Sequence, residues 1–217
     1  MSNSVVPEQL SIAEALQRAH AHWHAGQAAQ AEQWCQRVLA VWPGQADALH
    51  LLGLMAHAYG NLDLAISHLR QACAAPRAPA VYSSNLAEMY RQKGLLAEGE
   101  EAARRAVAIE PALASGWNNL GILLQEAGKL DESLACLKYV AELQPGQPQA
   151  HNNLGNTYRR LGQLDQAAAH YARALSLNPD YAEAHSNLAF LLTARLRGVL
   201  AGRPGTRLAA DGPSAGR

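Results

Sequence analysis

The apolar and small residues of this chain recur with a period of 34 positions. A leucine followed by a small residue returns at that interval, in the pairs Leu52-Gly53, Leu86-Ala87, Leu120-Gly121, Leu154-Gly155 and Leu188-Ala189. A second series of small residues holds Gly26, Gly60, Gly94, Gly128 and Gly162. Between these markers, apolar residues follow the three- and four-residue spacing of amphipathic helices. The pattern predicts a series of short helix pairs.

Each recurring residue has a physical role in such a pair. The second glycine series supplies the left-handed conformation that ends a first helix, and the small residue after each leucine lies where two helices cross closely. Prolines end the second helices because they cannot continue them, at Pro43, Pro111, Pro145 and Pro179. In the second pair a proline comes early, at Pro76, and another follows at Pro79, so we expect an irregular exit loop at 74–79.

Two segments carry a recognisable family pattern. Trp117-x-x-Leu120-Gly121 and Leu154-Gly155-x-x-Tyr158, followed by Gly162 and Pro179, resemble the tetratricopeptide repeat. The resemblance implies an all-α fold, a right-handed superhelix (α-solenoid) with five full helix-turn-helix repeats and a partial sixth. The repeats are expected to stack because a single helix pair cannot bury its apolar face alone. The predicted divisions are an N-terminal tail 1–10, a solenoid 11–198 with repeats 12–45, 46–79, 80–113, 114–147, 148–181 and partial 182–198, and a disordered C-terminal tail 199–217.

Composition narrows the function classes. Eighteen basic and 18 acidic residues give a formal net charge of 0, which argues against nucleic-acid binding by phosphate neutralisation and against a polybasic membrane anchor. Aromatic residues make up 6%, too few for a base-stacking surface. The three cysteines are widely spaced and odd in number, so no disulfide framework is expected. With no secretory signal and no apolar stretch of membrane-spanning length, the sequence predicts a cytoplasmic protein.

Catalytic chemistry has no visible basis in the sequence. No paired carboxylates, nucleophile and base set, Walker loop or dinucleotide fingerprint appears, so the prediction is a protein that is not an enzyme and needs no cofactor. His20 and His24 stand four residues apart, a metal-ligand spacing on one helix face, but no third ligand joins them. No metal site is predicted.

The candidate binding residues lie on first helices, which the family resemblance places on the concave side. The sixth position of four successive repeats holds an asparagine: Asn85, Asn119, Asn153 and Asn187. An amide offers a donor and an acceptor, which match the backbone of an extended peptide. Asparagine at this position can equally satisfy backbone groups of the repeats themselves, and the sequence leaves both roles open.

Other polar residues extend the candidate surface. They are Asn118, Asn152, Asn156, Arg91 and Arg159. The two arginines could hold carboxylates or acidic side chains. The fifth positions hold no basic residue, so the carboxylate clamp of chaperone-tail-binding relatives is not carried over.

Three hypotheses for function follow. The first is a noncatalytic scaffold that binds an extended peptide segment of a partner protein in its concave groove. The alternative is a detached or truncated substrate-recognition arm of a glycosyltransferase system, because the asparagines and the segment Asp180 to Ala189 resemble the repeat arm of O-linked N-acetylglucosamine transferases and SPINDLY-like proteins. The third is weak self-association through the last helix, where no partner helix follows to cover Phe190, Leu191 and Leu192.

Overall fold

The architecture is entirely helical. A computed structural model describes residues 10–201, with side chains described as far as residue 194. Within residues 10–201 there are eleven α-helices and no strand. The helices are α1 Ile12–His24, α2 Ala28–Val41, α3 Ala46–Ala58, α4 Leu62–Cys73, α5 Ala80–Gln92, α6 Leu96–Ile109, α7 Ala114–Glu126, α8 Leu130–Leu143, α9 Pro148–Arg160, α10 Leu164–Leu177 and α11 Ala182–Ala201. The predicted all-α repeat fold is confirmed, and the right-handed sense of the superhelix stays a prediction.

The chain divides into two compact units, Met1–Pro145 and Gly146–Arg217. In the first unit, α1 to α8 pack as consecutive helix pairs, and first helices also contact each other, α1 with α3 and α5 with α7. In the second unit, α9 packs on α10, α10 packs on α11, and α9 contacts α11. Odd-numbered helices are the first helices of their repeats.

Glycine ends each of the first five first helices. The five turn glycines have φ between 72° and 79°, a conformation in which a Cβ would crowd the following carbonyl oxygen. After Gly60, the N–H of Asn61 donates to the carbonyl of Ala56 at 2.9 Å, which closes the helix end. These turns confirm the role predicted for the second glycine series.

Close approach of paired helices depends on the other small position. A Cβ added to Gly121 on α7 would lie 2.7 Å from Cγ of Leu137 on α8, and one added to Gly155 on α9 would lie 2.5 Å from Cε1 of Tyr171 on α10. Leu137 and Tyr171 are both fully buried, so neither has free space in which to move. Glycine therefore sets the distance between these helices.

The exit from α4 is irregular, as predicted from the early proline. Residues 74–79 form turns and a bend before α5 begins, and Arg77 takes a positive φ of 60°. The Arg105 side chain on α6 donates to the carbonyl of Cys73 at the end of α4. This bond fastens the loop to the next repeat.

The C-terminal boundary differs from the predicted one. Helix α11 continues to Ala201, past the expected end at 198, because no turn glycine stops it where Leu196 stands. The tails 1–9 and 202–217 lie outside the described residues. Phe190 and Leu192 are 62% and 47% exposed, whereas Leu191 is 2% exposed. None of the described helices is both long and apolar enough to cross a bilayer.

Candidate functional site

The sixth-position asparagines of the first unit join neighbouring first helices. Asn85 on α5 donates through Nδ2 to Nε2 of His50 on α3 at 2.9 Å. Asn119 on α7 donates through Nδ2 to the backbone carbonyl of Ser84 at 2.9 Å and to its Oγ at 3.2 Å. In both cases the acceptor belongs to the fifth position of the preceding repeat, 35 residues earlier. The surface of the first helices that carries these asparagines is called the amide face.

The state of His50 follows from its surroundings. Burial, opposed by Asp47 and assisted by nearby His20, lowers the pKa of His50 to about 4. The ring is therefore neutral near pH 7, and because an amide nitrogen can only donate, Nε2 accepts and Nδ1 carries the proton. The ring also stacks on Tyr82, with centroids 4.0 Å apart, and the Tyr82 hydroxyl donates to Asp47. This cluster ties α3 to α5.

The second unit repeats the same register. Asn187 on α11 donates through Nδ2 to Oδ1 of Asn152 on α9 at 3.0 Å, again 35 residues apart. Asn152 is 5% exposed, whereas Asn153 and Asn187 are half-buried. Asn156 accepts a hydrogen bond through Oδ1 from the hydroxyl of Tyr171 at 2.8 Å. One amide pair therefore links α9 and α11.

The amide face retains acceptors rather than donors at three asparagines. No hydrogen bond within the described chain reaches Oδ1 of Asn85, Asn119 or Asn187. Their Nδ2 groups are committed to neighbouring helices, so the structural role that the sequence left open is present in all three. The peptide-contacting role remains a prediction, now restricted to the carbonyl oxygens. Asn118, the other candidate on α7, is half-buried.

Arg91 is neutralised by its own unit. Its Nε and Nη2 donate to the two carboxylate oxygens of Glu88 at 2.9 and 2.7 Å, and its Nη1 donates to Glu126 at 2.8 Å. The hydrogen bonds that Arg91 donates to Glu88 and to Glu126 raise its pKa, although burial opposes the rise. Burial raises the pKa of Glu88, but the bonds from Arg91 and Gln92 outweigh it and hold that pKa below its ordinary value. A ligand carboxylate would have to displace one of these partners.

Arg159 has different surroundings in the second unit. Its guanidinium lies over the ring of Phe190, 5.6 Å from the centroid. Its Nε is buried and has no hydrogen-bond partner in the described chain. Burial raises the pKa of Tyr171, and a side-chain hydrogen bond with Arg159, together with the positive charge of Arg159, partly opposes that rise. The two candidate arginines therefore differ in their contacts: carboxylates surround Arg91, whereas an aromatic ring lies against Arg159.

The fifth-position residues were not recognised from the sequence as acceptors for the asparagines, although Asn152 was named there as a candidate ligand contact. His50, Ser84 and Asn152 are all polar and each precedes a sixth-position asparagine by 35 residues. That fixed spacing was a readable signal, because adjacent repeats place such residues side by side. Tyr82 and Asp47 share the same spacing, and sequence reasoning missed them as well.

Metal chemistry finds little support in the geometry. The rings of His20 and His24 stack with centroids 6.5 Å apart. Among residues with described side chains, no group of three histidine, cysteine, aspartate or glutamate residues is placed to hold a metal ion. That the protein needs no metal or cofactor stays a prediction.

Similarity to family models identifies the repeat. Models described as tetratricopeptide repeat match residues 11–78 and 136–169, and one described as TPR repeat matches 155–194. The chain contains tetratricopeptide repeats (TPRs). No curated protein sequence matches the TPR chain.

Solved structures with the same fold are numerous. MamA is 21% identical with a TM-score of 0.67, over 76% of this chain and 96% of that one. YrrB, described as a TPR protein with an unusual peptide-binding site, is 19% identical with a TM-score of 0.69, over 86% and 92%. A chain of the APC/C hetero-tetramer Cut9–Hcn1 is 18% identical with a TM-score of 0.73, over 86% and 37%. At these identities the likeness shows the fold.

Proposed function

We propose that this TPR chain is a noncatalytic scaffold that binds an extended segment of a partner protein along the amide face of its first helices. The observation that carries the proposal is that the half-buried residues Asn85, Asn119 and Asn187 donate through Nδ2 to neighbouring helices, while no donor of the described chain reaches their Oδ1 atoms. The printed description of YrrB as a peptide-binding TPR protein and the hetero-tetrameric assembly of Cut9–Hcn1 support the same reading.

The spacing of the acceptors suits an extended backbone. First helices of adjacent repeats lie about 10 Å apart by helix-packing distances, and an extended peptide advances about 3.3 Å per residue. Asn85 and Asn119 would then accept from about every third peptide N–H. Each net hydrogen bond contributes about 0.5–1.5 kcal/mol, so the amides alone hold a peptide weakly. Side-chain contacts would have to supply the selectivity.

Further parts of the proposal concern chemistry and location. We propose that the protein catalyses no reaction, binds no nucleic acid and works in the cytoplasm. The formal net charge of 0 supports the proposal that the protein binds no nucleic acid. The buried thiols of Cys35, Cys73 and Cys136, none of which forms a disulfide, support a reducing compartment. Burial raises the pKa of Cys35 to about 11, which suits a packing role and not a nucleophilic one.

A photo-cross-linking experiment tests the scaffold proposal. We would place a benzophenone amino acid at Leu54, four residues after His50 on α3, or at Ile122, three residues after Asn119 on α7. The matched controls are Ala108 and Ala135, exposed on the second helices α6 and α8. In living cells, the first-helix positions should cross-link a discrete partner that the second-helix positions miss. Equal cross-linking from both sets would refute binding on the amide face.

The glycosyltransferase alternative rests on the sixth-position asparagines. It predicts that a glycosyltransferase is among the cross-linked partners and that captured proteins accept N-acetylglucosamine from its uridine diphosphate donor. Absence of both results would leave the general scaffold as the better account. Self-association is also proposed, since Phe190 and Leu192 are exposed on α11; light scattering that gave a monomer mass at every concentration would exclude it.

A further inference from the structure

We propose that Arg159 determines specificity, as part of a subsite in the second unit that takes an aspartate or glutamate side chain of the bound partner segment. The other members of this acid subsite are Asn156 on α9 and Phe190 on α11. The inference rests on the proposed function, because it names what one part of the amide face would select. The argument comes from a comparison of two arginines at the same repeat position.

Arg91 and Arg159 are 68 positions apart, which is two repeat lengths. Arg91 is held by Glu88 and Glu126 at 2.7–2.9 Å. The same shift of 68 carries those two carboxylates to Asn156 and Ala194. Neither replacement has a negative charge. Both repeats therefore carry an arginine at this position, and among the residues with described side chains only those of the first unit place carboxylates against it.

Part of the donor capacity of the acid subsite is uncommitted within the described chain. The Arg159 side chain forms a hydrogen bond with the Tyr171 side chain, but its buried Nε has no hydrogen-bond partner. Asn156 uses Oδ1 to accept from Tyr171, which leaves its Nδ2 group without a bond to the described residues. A ligand that only accepts hydrogen bonds and carries negative charge fits these donors, and an ionised carboxylate has that chemistry.

Phe190 completes the subsite. Its ring is 62% exposed and lies under the Arg159 guanidinium, 5.6 Å from Cζ to the centroid. A cation over an aromatic face is held in place and is partly shielded from water. The exposed remainder of the ring offers an apolar surface for the methylene groups of an acidic side chain. Charge and shape therefore favour glutamate or aspartate over a neutral residue.

Peptide selection tests the acid subsite. The full chain, its Arg159→Gln variant and the matched Arg91→Gln variant would each select from a phage-displayed library of random 12-residue peptides. Selected peptides would then be synthesised with glutamate or glutamine at the enriched position, and their Kd values measured by fluorescence anisotropy. Circular dichroism would confirm that each variant is folded. Because the readout is the ratio of two Kd values, a general weakening of binding does not affect it.

The expected result is a glutamate preference of about ten- to a hundredfold for the unchanged chain, as charged hydrogen bonds give. Arg159→Gln should reduce the preference below about threefold, Arg159→Lys should keep part of it, and Arg91→Gln should leave it unchanged. Selection without an acidic preference, or an equal preference in Arg159→Gln, would overturn the acid subsite alone. If the unchanged chain selected no peptide, both this inference and the proposed function would fall.

Discussion

Replacing Asn119 with alanine removes the two hydrogen bonds that its Nδ2 group donates to the carbonyl and hydroxyl oxygens of Ser84, at 2.9 and 3.2 Å. Ser84 is fully buried on α5, so water cannot easily replace the lost donor. Each such bond contributes about 0.5–1.5 kcal/mol net. The free energy of unfolding of the first unit should therefore fall by about 1–3 kcal/mol in Asn119→Ala.

Urea denaturation followed by tryptophan fluorescence measures this loss. All four tryptophans, Trp23, Trp34, Trp42 and Trp117, precede Pro145, so the signal reports the first unit. The control is Gln33→Ala on α2, where the glutamine is exposed; surface changes of this kind usually stay within about 0.5 kcal/mol.

A second variant separates donor from acceptor. Asn119→Asp keeps an acceptor oxygen toward the amide face but replaces the donor that faces Ser84, so it should be destabilised at least as much as Asn119→Ala. If both variants unfolded at the same urea concentration as Gln33→Ala, the amide would not fasten α7 to α5. The division of the asparagines into structural donors and free acceptors would then be wrong.

Two further predictions concern stability. The pKa of His50 is about 4 in the folded protein and about 6.5 when unfolded, so protonation favours the unfolded chain. The contribution of neutral His50 to stability is fully present above about pH 6.5 and is lost as the pH falls toward 4. The free energy of unfolding should therefore be about 2 kcal/mol lower at pH 5 than at pH 7. Urea titrations at the two pH values should show a smaller difference for His50→Asn. Gly94 has a φ of 79°, so Gly94→Ala should lower the free energy of unfolding by about 1–2 kcal/mol and lower the thermal midpoint. The control is Gly146→Ala, where no atom lies within 4 Å of the added Cβ; it should leave the thermal midpoint nearly unchanged.

The helices and turns were largely readable from the sequence because they depend on local constraints. A glycine that must adopt positive φ, a proline that ends a helix and a small residue at a close crossing act within one helix pair. The irregular loop at 74–79 was predicted for the same reason, from Pro76 and Pro79. The extension of α11 to Ala201 was not, because the end of a helix without a stop signal depends on the balance of many weak preferences.

The candidate residues were found by their recurrence, but recurrence alone could not say which atoms remain for a ligand. That depends on partners 35 residues away, which meet only when first helices pack side by side. Asn119 was identified from sequence as an amide with a donor and an acceptor; packing assigned the donor to Ser84. Arg91 and Arg159 occupy equivalent positions in the repeat, yet folding places two carboxylates around the first and a phenylalanine ring beside the second. The identity of each side chain is local information, whereas its free hydrogen-bonding capacity and charge are set by what the tertiary structure brings against it.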